Sequence, residues 1–301
     1  MTIPKKLFQT AKAYDILPGE IKDNIRSLRD LNPDWDYSFF DDAAVKAYLE
    51  AHLSPEDWEA VQLVNPRFGV VLADLFRYLV IYREGGVYLD IKSTARKPLT
   101  AALDLDCGFV LSQWPNKIGE NYVGYGLHPE LSDVPGGEFQ QWNIIAAPRH
   151  PFLQAAVRQV IVNIKSYTPG RFGTDAYGVL RLSGPIAYTR AIYPLLDHFA
   201  YQAVDLAQWG IHYSLYGNDG GLQQQHQSAV PGHYSKVREP VVLKEVYVEP
   251  PQPVIAKLAD LLAKELRDNI GLVLKLAVLS IAATLALVVA LVFLAAVAIF
   301  R

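Results

Sequence analysis

From Val70 to Tyr82 the chain is apolar at helical spacing, broken only by Asp74 and Arg77. A helix that is apolar almost all round has to be buried. Glu84-Gly85-Gly86 stops it, and Val87-Tyr88-Leu89-Asp90-Ile91 follows as a strand. A buried helix passing through a tight Gly-Gly turn into an apolar strand commits this part of the chain to layers of helix on sheet.

The flanking sequence repeats the alternation. Ile3 to Thr10 reads as a first strand, a helix closes over Ser27 to Leu31, and Asn32-Pro33-Asp34 turns into a strand from Trp35 to Phe40. Asp41-Asp42 supplies an N-cap for a helix over Ala43 to Leu49, and Ser54-Pro55-Glu56-Asp57 opens another, with proline at its first position. Further on, Ala146 to Pro151 is a turn into a helix over Phe152 to Ile164, and Gly184-Pro185 opens one over Ile186 to Ile192. Strands alternating with helices predict a mostly parallel α/β sheet with flanking helices. Residues 213–240, rich in Gly, Gln, His and Ser, read as a long loop of the kind that often carries function.

With 301 residues, 51% of them hydrophobic, the chain can bury one large α/β domain or two small ones. A net charge of −3 argues against a nucleic-acid partner. Cys107 is the single cysteine, so no intrachain disulfide forms, which fits a reducing compartment without excluding a lumenal one. Met1 to Lys6 lacks the apolar core of a signal peptide.

The apolar residues concentrate at the far end. Leu276 to Phe300 carries no charge, and Ser280 and Thr284 are its polar exceptions. About 20 apolar residues suffice for a helix to cross the hydrocarbon layer, so this run is expected to be a C-terminal transmembrane helix. The expected organisation is a globular domain over 1–248, a Pro-rich linker with an amphipathic segment over 249–270, and the membrane helix over 271–300. Lys264, Arg267 and Lys275 precede the apolar run and Arg301 follows it. Positive residues favour the cytoplasmic side, which places the globular domain in the cytosol, a lumenal placement being the alternative.

Asp74 and Arg77 are three apart on their helix, so they share a face and can form an ion pair. Taken alone, that is a structural pair. The next element changes the balance, because Asp90 ends an apolar strand, and open α/β sheets bind ligands outside the carboxyl ends of their strands. Asp90 followed by the cation Lys92 can meet the ribose and diphosphate of a sugar nucleotide.

The ordered set Ile-Pro-Lys…Gln-Thr, Asn-Pro-Asp-Trp, Ala-Asp-Leu-Phe-Arg-Tyr and Gly-Gly-Val-Tyr-Leu-Asp resembles the family-32 glycosyltransferases. Gln141 to Pro151, Ser183-Gly184-Pro185 and His233-Tyr234-Ser235 are similar to later segments of that family. The resemblance implies a GT-A-type, Rossmann-like α/β fold. It implies a transferase moving a hexose, mannose above all, from a nucleotide-sugar donor (GDP-mannose or a UDP-hexose) to a membrane lipid or glycan acceptor such as a glycolipid. Asp74 and Arg77 would hold donor hydroxyls, and Tyr88, Asn143, Gly184 and His233 would bind substrate. Asp90 and Lys92 would be the catalytic positions, with Asp90 the first acid of the family's Asp-x-Asp motif, near ribose and metal.

Lys92 stands where the second acid of that motif binds Mn²⁺ or Mg²⁺. An ammonium there argues against a metal touching position 92 and could itself meet part of the diphosphate charge. The other arrangement has Asp90 hold the metal with groups from the 213–240 loop while Lys92 points away. The competing function is a catalytically degenerate nucleotide-sugar-binding or scaffold protein. Retention of Asp74, Arg77 and Asp90 together favours the enzyme.

Overall fold

The computed structural model describes residues 2–216 and 237–243, all within one compact unit spanning Met1–Lys244. The linker, the amphipathic segment and the apolar run over 271–300 lie outside the described residues. Among the described residues, no helix is long and apolar enough to cross a membrane.

The elements are β1 (Lys6–Thr10), α1 (Gly19–Leu31), β2 (Asp36–Phe40), α2 (Asp42–His52), α3 (Pro55–Gln62), α4 (Val70–Glu84), β3 (Gly86–Leu89), β4 (Thr94–Ala95), α5 (Leu99–Ala102), β5 (Phe109–Ser112), β6 (Asn143–Ala146), α6 (Pro151–Lys165), α7 (Pro169–Phe172), α8 (Ala176–Leu182), α9 (Pro185–Ile192), β7 (Gln202–Val204) and β8 (Ile211–His212). Six strands form one sheet in the order β2-β1-β3-β6-β5-β7, and β4 pairs with β8 apart from it. β1 is parallel to β2 and β3, β7 is parallel to β5, and β6 runs against both β3 and β5. Five of the six strands therefore point one way, and their carboxyl ends share one edge. The expected mostly parallel sheet with flanking helices is present.

Strand alternation divides the core between the two faces. Tyr88, Phe109 and Ile144 face a cluster that includes Leu75, Phe76 and Val80 of α4 and Phe152 and Val160 of α6. Val87, Leu89, Val110 and Ile145 face a smaller cluster with Leu28, Trp35 and Leu206. The predicted caps form: Asp41 accepts from the Ala44 amide at 2.8 Å and Ser54 from Asp57 at 3.2 Å. The bounds of the first and third strands differ from the expectation in an informative way. β1 starts at Lys6, because the Ile3 amide bonds instead to the Leu105 carbonyl. β3 ends at Leu89, because residues 90–93 close a turn in which the Ser93 amide donates to the Asp90 carbonyl at 2.8 Å.

The α4–β3 junction is the tightest point of the fold. Gly86 holds φ at +106°, and a Cβ there would stand 2.4 Å from the Lys6 carbonyl oxygen. Gly86→Ala thus meets both a forbidden backbone region and a backbone atom that cannot swing aside. It should lose about 2 kcal/mol or more in urea unfolding. Gly19→Ala, with open space at its Cβ, should change stability by less than about 1 kcal/mol. Equal stability of the two variants would contradict the close approach.

Candidate donor site at the carboxyl end of β3

The site assembles around Arg77. Its position on α4 is fixed by the apolar residues that bury the helix, which leaves Arg77 itself 7% exposed and Asp74 1%. Arg77 Nη2 lies 3.3 Å from Asp74 Oδ1. Its Nη1 lies 3.2 Å from Asp90 Oδ1 and donates to the Gln141 carbonyl at 3.0 Å. The guanidinium carbon stands 4.9 Å from the Tyr88 ring centre, and the Tyr88 hydroxyl donates to Asp90 Oδ1 at 3.2 Å. The sequence-predicted Asp74–Arg77 pair is present, and β3 delivers Asp90 to the same guanidinium.

Behind Arg77 the polar groups are closed off. Ser183 Oγ donates to Asp74 Oδ2 at 2.8 Å. The Tyr78 hydroxyl donates to the Ser183 carbonyl at 2.9 Å, contacts the Gln141 amide, and its ring stacks on Tyr188 at 5.0 Å. Burial pushes the Asp74 carboxyl up to about 6, against the opposing pull of Arg77 and Ser183. Asp90 is different: its side chain is 26% exposed. Of the three charged residues, it is the one most open to a ligand.

Lys92 leaves the turn after β3 and does not reach into this cluster's hydrogen bonds. Its Nζ donates to the Tyr213 hydroxyl at 2.5 Å and stands 3.9 Å from that ring's centre. Tyr213 packs against Trp142 at 5.6 Å and Trp114 at 5.1 Å. Burial lowers the Lys92 ammonium from its ordinary value, with Asp90 opposing and Arg77 adding to the effect. Backbone bonds hold the turn: Asp90 donates to Trp142 at 2.7 Å, and Leu215 donates to Lys92 at 2.9 Å.

The remaining predicted positions separate. Asn143 is buried at the start of β6, its Nδ2 donating to Ser112 Oγ at 3.1 Å. Gly184 caps α9, and a Cβ there would stand 2.9 Å from the Leu180 Cα, so its smallness serves close packing of α8 and α9. His233 lies outside the described residues. Ser183 and Tyr213 were missed as site residues. The Ser-Gly-Pro run pointed near Ser183, whereas nothing local marks Tyr213. Among the described residues, no three His, Cys, Asp or Glu side chains gather to hold a metal. Arg77 stands beside Asp90 and Lys92 lies two residues on, so among the described residues two cations accompany the one partly exposed carboxylate.

The raised Asp74 carboxyl has a pH consequence. Between about 4 and about 6 the unfolded chain has lost this proton while the folded chain keeps it. Wild-type stability should therefore fall relative to Asp74→Asn as pH rises through that window. Urea unfolding of both proteins from pH 4 to 8 checks this, and a pH-independent difference would remove the claim.

Residues 18–122 match the family described as glycosyltransferase sugar-binding region containing DXD motif. The chain is similar to the initiation-specific alpha-1,6-mannosyltransferase of Schizosaccharomyces pombe, 27% identical over 206 residues, covering 65% of this chain and 49% of that protein. It is similar also to inositol phosphoceramide mannosyltransferase 3 of the same yeast, 29% identical over 133 residues, 44% of this chain and 36% of that protein. The chain thus spans half or less of these relatives' length. Among solved structures, PaToxG Glycosyltransferase aligns with a TM-score of 0.47 and 18% identity, covering 65% of this chain and 71% of that one. The stretch matched by that family description contains Asp74, Arg77, Tyr88 and Asp90, and after β3 the chain reads Asp90-Ile91-Lys92.

Proposed function

We propose that this protein is a hexosyltransferase that moves mannose from GDP-mannose, with UDP-hexoses as the other donor class, to a hydroxyl of a membrane-associated glycolipid or glycan. The observation that carries the reading is Asp90: a partly exposed carboxylate at a strand's carboxyl end, oriented by Arg77 and Tyr88. The similarity to two fungal mannosyltransferases supports mannose. The apolar run over 276–300 would keep the domain beside a bilayer, where such an acceptor resides.

In this reading Asp90 meets the donor, positioned by Arg77, while Asp74 acts through Arg77. The bond from the sugar C1 to the diphosphate oxygen breaks, and the diphosphate leaves with the electron pair. The acceptor oxygen bonds to C1, and its proton passes to the oxygen of the departing diphosphate. The diphosphate's growing charge needs a cation, and we assign that part to Lys92, whose ammonium Tyr213 holds in a partly dry, aromatic setting. A divalent ion would supply the same charge if it entered with the diphosphate.

Two measurements test this. Asp90→Asn keeps the shape and removes the charge, so GDP-mannose turnover should fall at least ~100-fold with a smaller loss of nucleotide affinity. Wild-type turnover in that variant would refute the assignment. For Lys92, activity should be only partly sensitive to EDTA, Lys92→Ala should lose it, and Lys92→Asp should become more dependent on added Mn²⁺. Complete loss in EDTA, restored by Mn²⁺ and untouched by Lys92→Ala, would give the cationic role to a metal on Asp90 instead.

A further inference from the structure

The carboxyl edge of the sheet carries a second recess away from Arg77. β5 and β7 run in the same direction as β3, with the reversed β6 standing between β3 and β5. Just beyond their carboxyl ends lies an open groove of about 590 Å³. Trp114, Asn116, Lys117, Glu120, Asp205 and Gln208 line it. At a strand spacing of 4.7–4.9 Å, two steps across the sheet separate this groove's strand from β3 by about 10 Å, the scale of two adjoining hexose rings.

The lining is suited to a sugar. Trp114 offers an aromatic wall against which the C–H face of a pyranose can pack, and the amides and carboxylates can exchange hydrogen bonds with its hydroxyls. Glu120 and Asp205 outnumber Lys117, so a neutral ring is favoured over a phosphate. The wall is built in advance. Trp114 Nε1 donates to Glu138 Oε1 at 2.7 Å, and Glu138 is itself 8% exposed and bonded to His128. A Cβ on Gly126, at φ +69°, would stand 2.5 Å from Glu138 and 2.9 Å from Trp114, so the loop closes on this pair only because glycine is there. Asn116 Nδ2 donates to the Tyr125 and Gly136 carbonyls at 2.8 and 3.0 Å, which fixes the orientation of its amide. Trp114 also touches Tyr213, the residue that holds Lys92, so the groove and the donor end share a wall.

We propose that this groove is the acceptor subsite and binds a neutral hexose unit of the acceptor. Its role as acceptor subsite rests on the reading of Asp90 as the donor end; its affinity for a hexoside does not. The test uses the full chain with methyl α-mannopyranoside as the probe, followed by ligand-observed NMR, and with GDP titrated separately. The probe should bind wild type, bind at least 10-fold more weakly to Trp114→Ala and Gln208→Ala, and recover in Trp114→Phe, while GDP affinity stays within twofold in Gln208→Ala. Failure of the probe to bind, or equal binding by wild type and both alanine variants, would overturn the inference. Probe binding that depends on Gln208 and Trp114 in a protein that does not bind GDP would uphold the groove as a hexose site and reject the donor reading.

Discussion

Arg77 is held between two carboxylates, one a turn earlier on its own helix and one beyond the end of the adjoining strand. A buried guanidinium is tolerable only if its charge and its N–H groups find partners, and removing one partner of such a pair commonly costs about 3–5 kcal/mol. That requirement recruits distant parts of the chain: the Gln141 carbonyl, the Tyr88 ring and, through Asp74, the Ser183 hydroxyl. The helix, the central strand, the approach to β6 and the end of α8 are tied at one point. The same guanidinium holds Asp90, whose side chain stays 26% exposed while Asp74 is closed off.

The reversal of β6 matters for what gathers at that point. Because β6 opposes its neighbours, the segment entering it, Gln141-Trp142-Asn143, arrives at the edge where β1, β3, β5 and β7 end. A crossover into a parallel strand there would have brought that entry to the opposite edge and left the Arg77 guanidinium without the Gln141 carbonyl. The long connection between β5 and β6 is likewise confined to this edge, where Gln113 and Asn116 spend their amide nitrogens on its own carbonyls. These bonds satisfy the loop's own backbone carbonyls and fix its path along this edge.

Lys92 illustrates how a local motif and its setting divide the outcome. In the sequence it is the residue that breaks an Asp-x-Asp pattern. In the fold, the Asp90–Ser93 turn and the aromatic group of Tyr213, Trp142 and Trp114 determine where its ammonium goes. The ring face and hydroxyl of Tyr213 supply electron density that offsets burial of the charge.

The sequence alone determined the elements whose signals are local. The apolar helix with Asp74 and Arg77, the Gly-Gly stop, the strand before Asp90 and the caps at Asp41 and Ser54 follow from periodicity, φ preference and short-range hydrogen bonding, and all are present. The ordered motifs likewise marked Tyr88 and the Ser183-Gly184 corner before any contact was known. Tertiary structure decided the rest. The short strands β5, β6 and β7 are too brief for a period to register, and the direction of β6 is a property of pairing across the sheet. That Asp74 is closed off while Asp90 is open, that Asn143 turns to Ser112, and that Tyr213 receives Lys92 all depend on residues far apart in the chain. Spacing along the chain can place charges on one helix face, but only the packed fold sets which of them meets water.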